Sequence, residues 1–223
     1  MSLITFIDET KRPHYASLVN SIKRCSACQF CDLEGVRDIG NGFIPADVFF
    51  LGEAEGADER ITGIPFIGDC GQLIRRKWNE HGFMFDNINL NGGQIKSFVS
   101  NSIKCWPYPP EGSGARNGKP TPESIEACKI HTWIQLKLCM PKVVVPLGDI
   151  ATRTILSVPF DNTKWRITDA LRQDHERNWP ILGRVRIVPM YHPSYVLRQG
   201  KPANLMSLYD LLLNKVKGIL NVL

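Results

Sequence analysis

Four short apolar runs, each followed by a stretch with helical spacing, restrict this chain more than anything else in it. They are Asp47-Val48-Phe49-Phe50-Leu51, Ser97 to about Ile103, Lys142-Val143-Val144-Val145-Pro146-Leu147, and Arg184 to Met190. Each is bounded by polar or turn-forming residues and reads as a buried strand. Helical patterns surround them. Residues 14–24 place Tyr15, Leu18, Val19 and Ile22 on one face, and Gly71 to about Gly82 places Leu73, Ile74 and Trp78. Further helices are expected over 121–140, 148–156 and 202–220. The first of these starts cleanly, with Thr121 as N-cap, Pro122 in the first turn, and Glu123 and Glu126 near the positive dipole end. Strands alternating with helices predict an α/β fold, a parallel sheet covered on both faces. Ligands in such folds bind beyond the carboxyl ends of the strands. Those ends are Gly52-Glu53, Asn101 to Cys105, Gly148-Asp149 and Tyr191-His192.

The 223 residues suffice for one large domain with a full core, or at most two small ones. The Gly-rich segment 35–42 reads as turn, and 86–94 and 106–120 read as loops. Residues 157–183 carry no clear pattern. No linker or repeat divides the chain, so a single domain over 1–223 is expected. No apolar run approaches the roughly 20 residues of a membrane span. Asp8, Glu9, Lys11 and Arg12 leave no apolar leader. No membrane partner is therefore expected, and the cytoplasm is the expected compartment. Charge is uneven: 10 Lys/Arg against 13 Asp/Glu in residues 1–100, and 17 against 9 in 101–223. The basic second half suits a polyanion or is simply a solvated surface.

Seven cysteines cannot all pair within one chain. Cys25, Cys28 and Cys31 form C-x-x-C-x-x-C, Cys105 follows the second strand, and Cys128 lies in the second turn of the helix after Thr121. Two separated pairs of thiols suit a tetrahedral zinc ion or an iron–sulfur cluster, and spacing does not separate the two. Five cysteines thus compete for four positions. Cys139 is 11 residues beyond Cys128 on one helix, about 16 Å away, too far to share a small cluster. Cys70 is expected to be a small packed residue near the sheet rim.

Two segments about 140 residues apart carry the chemistry. Gly52-Glu53-Ala54-x-Gly56-x-x-Glu59, continuing through Gly63-x-Pro65-Phe66-x-Gly68-x-x-Gly71-x-Leu73, resembles the first motif of the iron–sulfur (family-four) uracil-DNA glycosylases. Asn101-x-x-Lys104-Cys105-x-Pro107, Pro122-Glu123 through Cys128, Val143-Val144-Val145-x-Leu147-Gly148 and His192-Pro193-Ser194-x-x-Leu197-Arg198 are similar to its later motifs, in order. The resemblance covers roughly residues 25–215. It implies a three-layer α/β/α sandwich with a four-stranded parallel sheet. It also implies a [4Fe-4S] cluster and hydrolytic removal of uracil from DNA; separately, a monomer is expected. It assigns Cys25, Cys28, Cys105 and Cys128 as cluster ligands, with Cys31 as a neighbour. Glu53, Ala54, Phe66, Asn101 and His192 become the base pocket, opened by Gly52. Two positions depart from the family pattern: Glu55 stands where proline is usual, and Arg60 where an acid is usual.

These residue types suit the reaction. A flipped pyrimidine needs an aromatic face, which Phe66 offers, and a group that reads its edge, which Asn101 offers. Cleavage leaves an anionic base and a cationic sugar. His192 is placed to hydrogen-bond the developing charge on O2. Glu53 or Glu59 positions water, with Glu53 favoured for the pocket by the resemblance. Pro193 and Ser194 suit a phosphate pinch, Tyr195, Val196 or Leu197 a wedge, and Arg198 a phosphate contact. With no recognised Schiff-base lysine, the expected product is an abasic site. Each of these side chains also has a plain structural alternative, as core, cap or helix start. Glu55 motivates another deaminated or modified base as substrate, in a phage-defence role. A non-catalytic or covalently trapping DNA-binding module is the third possibility.

Overall fold

The computed structural model describes residues 5–31, 35–85 and 94–222. In chain order the elements are β1 (Thr5–Ile7), α1 (Arg12–Lys23), β2 (Asn41–Ile44), β3 (Val48–Gly52), α2 (Ala57–Thr62), α3 (Asp69–Glu80), β4 (Phe83–Met84), β5 (Ile95–Asn101), α4 (Pro122–Cys139), β6 (Val143–Pro146), α5 (Asp149–Leu156), α6 (Ile167–Leu171), β7 (His175–Trp179), β8 (Gly183–Ile187), α7 (Pro193–Arg198) and α8 (Ala203–Leu220). The four expected strands are β3, β5, β6 and β8. They lie side by side in the order β5-β3-β6-β8, all parallel.

The sheet is wider than the expected four strands. Its full order is β1-β2-β5-β3-β6-β8-β7, with β4 pairing to β5. β2 runs antiparallel to β5 but parallel to β1, and β7 runs antiparallel to β8. These strands escape sequence reading for physical reasons. β2 lies in the Gly-rich stretch that reads as turn. β7 is His-Glu-Arg-Asn-Trp, a polar edge strand without apolar alternation. It also falls, with α6, in the segment that carries no readable pattern. The loop expected at 86–94 lies outside the described residues up to position 93.

Strand pleating divides the core. Val48 and Phe50 of β3 point to one face with Trp78, Leu213 and Val216, while Phe49 and Leu51 point to the other with Tyr15, Leu18, Leu136 and Ile155. Helices α3 and α8 therefore cover the first face, and α1, α4 and α5 the second. A smaller cluster joins Phe30, Ile103, Cys105, Ile125 and Cys128. Register fixes the functional rim. Gly52 pairs with Asn101, Leu51 pairs with Pro146, and Leu147 bridges Met190, so all four expected strand ends finish together.

Phe50 is fully buried, with ring contacts to Trp78, Phe83 and Phe85. Phe50→Ala is expected to lower the unfolding free energy by about 3–5 kcal/mol, read from urea unfolding. A change within about 0.5 kcal/mol, typical of surface positions, contradicts this packing.

Candidate active site

Beyond the strand ends lies a cleft of about 460 Å³. Of the residues expected in the site, Glu53, Ala54, Glu59, Phe66, Asn101, His192, Ser194 and Arg198 line it. Gly52 acts by its lack of a side chain. A Cβ there would come within 2.2 Å of Asn101 Oδ1 and 2.5 Å of the Phe66 ring. Gly148, at φ 89°, likewise leaves room for His192, whose Cβ would lie 2.9 Å from an added Cβ.

The loop after β3 is organised by Glu59. Its carboxylate accepts the N–H of Gly56 at 2.9 Å and those of Phe66 and Ile67. Arg75 holds the other side, with Nε donating to Phe66 O at 2.8 Å and Nη2 to Pro65 O at 2.6 Å. So held, Phe66 adopts φ 60°, a left-handed conformation that only a well-determined surrounding maintains in a bulky residue. Its ring packs edge-on against Trp78 and lies 6.5 Å from the His192 ring.

Asn101 sits on a buried polar network. Asp38 Oδ2 accepts from the Asn101 N–H at 2.5 Å and from Ser100 Oγ at 2.9 Å, and Oδ1 accepts from the Gly40 N–H at 2.6 Å. Lys104 Nζ donates to Asn101 O, Ser100 Oγ and Gln135 Oε1 at 2.5, 2.9 and 2.6 Å. The Asn101 backbone is thereby fixed, while its side-chain Nδ2 has no partner among the described residues.

His192 caps α7. The Ser194 backbone N–H donates to His192 Nδ1 at 3.2 Å, and the Ser194 hydroxyl lies 2.8 Å from the same nitrogen. A backbone N–H can only donate, so Nδ1 is an acceptor and the neutral ring carries its proton on Nε2. Burial and the Arg198 cation depress its pKa to about 4, which keeps the ring neutral. Glu53 is raised above the ordinary carboxylate value by burial, opposed by Lys119 and Arg198 and assisted by Asp149. Burial also raises Glu59, against the three backbone donors it accepts.

The helix after His192 divides by exposure. Tyr195 is exposed and stacks near Tyr191, whereas Pro193 and Val196 are buried. Val196 is thus a core residue and not a wedge, and Leu197 packs partly against the same core. Sequence reading missed several lining residues. Arg116, Asn117 and Lys119 come from the 106–120 loop, whose basic residues were the only signal, and Cys70 lines the cleft instead of being simply packed. That loop is tied down. Arg116 pairs with Asp58, Asn117 Oδ1 accepts from the Ala57 N–H and Trp106 Nε1 at 2.9 Å each, and Tyr108 donates to Gln29 O at 2.9 Å.

Cys25, Cys28, Cys31, Cys105 and Cys128 all line one enclosed pocket walled by Ile22, Ala27 and Ala127. Cys139 is buried elsewhere, in the core beside Leu136. Burial pushes the Cys105 thiol up to about 12, opposed by Arg37, and raises Cys128, opposed by Lys104. Among the described residues no three His, Cys, Asp or Glu side chains gather tightly enough for a single metal ion. Soft thiol donors gathered around a common pocket suit a zinc ion or an iron–sulfur cluster.

A model of the uracil DNA glycosylase superfamily matches residues 39–212. The Type-4 uracil-DNA glycosylase of Thermotoga maritima is 30% identical over 177 residues, 79% of this chain and 80% of that protein. That of Archaeoglobus fulgidus is 30% identical over 185 residues, covering 81% and 83%. The Type-5 uracil-DNA glycosylase of Thermus thermophilus is 29% identical over 161 residues, covering 70% and 68%. With most of its length matched and its motif residues gathered at one rim, the chain belongs to the uracil-DNA glycosylase superfamily.

Proposed function

We propose that this chain is a DNA glycosylase that hydrolyses the N-glycosidic bond of a flipped uracil and leaves an abasic site. The observation that carries the reading is the convergence of Phe66, Asn101, Glu53 and the Nε2–H of His192 on one cleft. The Type-4 names of its relatives agree with it. Phe66 gives the extruded base an aromatic face. Asn101 meets its Watson–Crick edge with a carboxamide left unpaired for the purpose. The neutral His192 donates to O2 as negative charge develops there, as an oxyanion donor does. Glu53, with its pKa raised by burial, is the base that orients water toward the sugar. Glu59 is a positioning residue, since its carboxylate is occupied by three backbone N–H groups. Lys119, Arg198, Ser194 and the exposed Tyr195 form the DNA-facing border, with Tyr195 as the wedge.

Cys25, Cys28, Cys105 and Cys128 would hold a [4Fe-4S] cluster, which supplies cross-linking of distant segments rather than a chemical step. The convergence of these thiols in one pocket, with Arg37 and Lys104 beside them, supports that assignment. The chain acts as a single-domain, monomeric, cytoplasmic enzyme on DNA. No described helix is long and apolar enough to cross a membrane.

Incubation with uracil-containing single- and double-stranded oligonucleotides, followed by alkali, is expected to give cleavage at the uracil; intact strands in both formats refute the proposal. His192→Ala is expected to slow single-turnover release by about 10²–10³-fold, the usual cost of one oxyanion donor. The imidazole of His192, followed by NMR, should titrate near pH 4 rather than 6.5. The folded state then binds fewer protons than the unfolded chain between those values. The stability contributed by the neutral ring is whole above pH 6.5 and is lost as pH falls toward 4. A midpoint near 6.5 contradicts the claim that burial and Arg198 depress the pKa of this ring. Anaerobic purification should give a brown protein with iron and acid-labile sulfide, and Cys128→Ser should lose them; a colourless zinc protein overturns the cluster assignment.

A further inference from the structure

Glu55 is the cleft residue that the mechanism leaves unused. It is 3% exposed, it lines the cleft, and its Oε2 meets no hydrogen-bond partner among the described residues. Asn101 Nδ2 is in the same situation in the same cleft. The two residues also share their surroundings. Asp38 and Lys104, which hold the Asn101 backbone, are charges that act on Glu55, together with Glu59 and Arg60. A buried polar atom without a partner keeps its desolvation cost with nothing to offset it. Two of them lining one cleft point to a ligand that supplies both partners. Burial, with the Asp38 and Glu59 carboxylates, pushes the Glu55 pKa up to about 10, so its carboxyl is protonated at neutral pH. A protonated carboxyl offers one O–H donor and retains acceptor capacity.

We propose that Glu55 is a further base-binding residue of the subsite, its carboxyl O–H joining Asn101 Nδ2 at one ring carbonyl oxygen of the flipped pyrimidine. The assignment rests on the glycosylase reading above. A ring carbonyl oxygen has two lone pairs and takes one hydrogen bond from Asn101 Nδ2 and one from the Glu55 O–H. Cytosine presents an N–H₂ donor at that position, which leaves the Asn101 Nδ2 donor unpaired while the Glu55 carbonyl oxygen accepts from it.

The test compares the parent with Glu55→Leu and Glu55→Gln on oligonucleotides carrying one uracil or, as control, only cytosine, alongside thermal melting of each protein. The parent is expected to release uracil and leave cytosine intact. Glu55→Leu should lower kcat/KM for uracil by about 10- to 100-fold, the worth of one buried hydrogen bond to substrate. It should melt at or above the parent temperature, because the carboxyl it removes has an unpaired oxygen. Glu55→Gln, which keeps a donor and an acceptor, should recover most of the lost rate. A Leu variant with the parental rate, a Leu variant that melts below the parent, or a Gln variant no better than Leu overturns the proposal. A parent inert on uracil removes the glycosylase reading and this assignment with it. An active parent with indifferent variants removes the role of Glu55 alone.

Discussion

Everything at the functional rim depends on the buried charges of Asp38 and Lys104. Neither has access to bulk water, and each meets its hydrogen-bonding needs through Ser100 and the Asn101 backbone. Burying two charges carries a heavy desolvation cost, offset only when the remaining lone pairs and protons are satisfied. Here they are. Asp38 accepts from three donors and Lys104 donates to three acceptors. Such a network has one good arrangement, so it fixes where β5 ends and where the Asn101 carboxamide starts. Both act on Glu55, and Lys104 acts also on the thiols of Cys105 and Cys128. One polar knot thus adjoins both the base subsite and the cysteine pocket.

The two carboxylates of the first motif divide the work. Glu59 spends its lone pairs on the N–H groups of Gly56, Phe66 and Ile67, and so folds the loop that presents Phe66. Glu53 lies one residue past the strand end and stays within the cleft, between the cations Lys119 and Arg198. Environment, not residue type, separates the organiser from the base. The left-handed Phe66 is the conformational cost of this arrangement, and Arg75 together with Glu59 maintains it.

The most legible part of the sequence was the part under uniform burial. β3 and β6 are buried along their whole length and so read as unbroken apolar runs, whereas β5 and β8 carry Lys96 or Arg184 and Arg186 among their apolar residues. Their ends then located the rim, and with it Glu53, Asn101 and His192. What stayed hidden lacked such a signal. β7 is a polar edge, and β2 is buried by contacts rather than by composition. Asp38 gives no local sign that it will accept three hydrogen bonds from residues up to 63 positions away. Val196 and Tyr195 differ in role only because α7 turns one toward the core and the other toward solvent. Neighbouring letters do not state that rotation; packing decides it.

The ties of the 106–120 loop carry one more consequence. They span long stretches of chain: 79 positions from Tyr108 to Gln29, 60 from Asn117 to Ala57 and 58 from Arg116 to Asp58. Gln29 lies between Cys28 and Cys31, and Phe30 packs edge-on against Tyr108. The wall of the cleft is therefore held at its Tyr108 end by the cysteine segment and at its Arg116–Asn117 end by α2. Local opening between residues 25 and 31 frees only the first of these anchors, so the wall loosens from one end while the central strands keep their pairing.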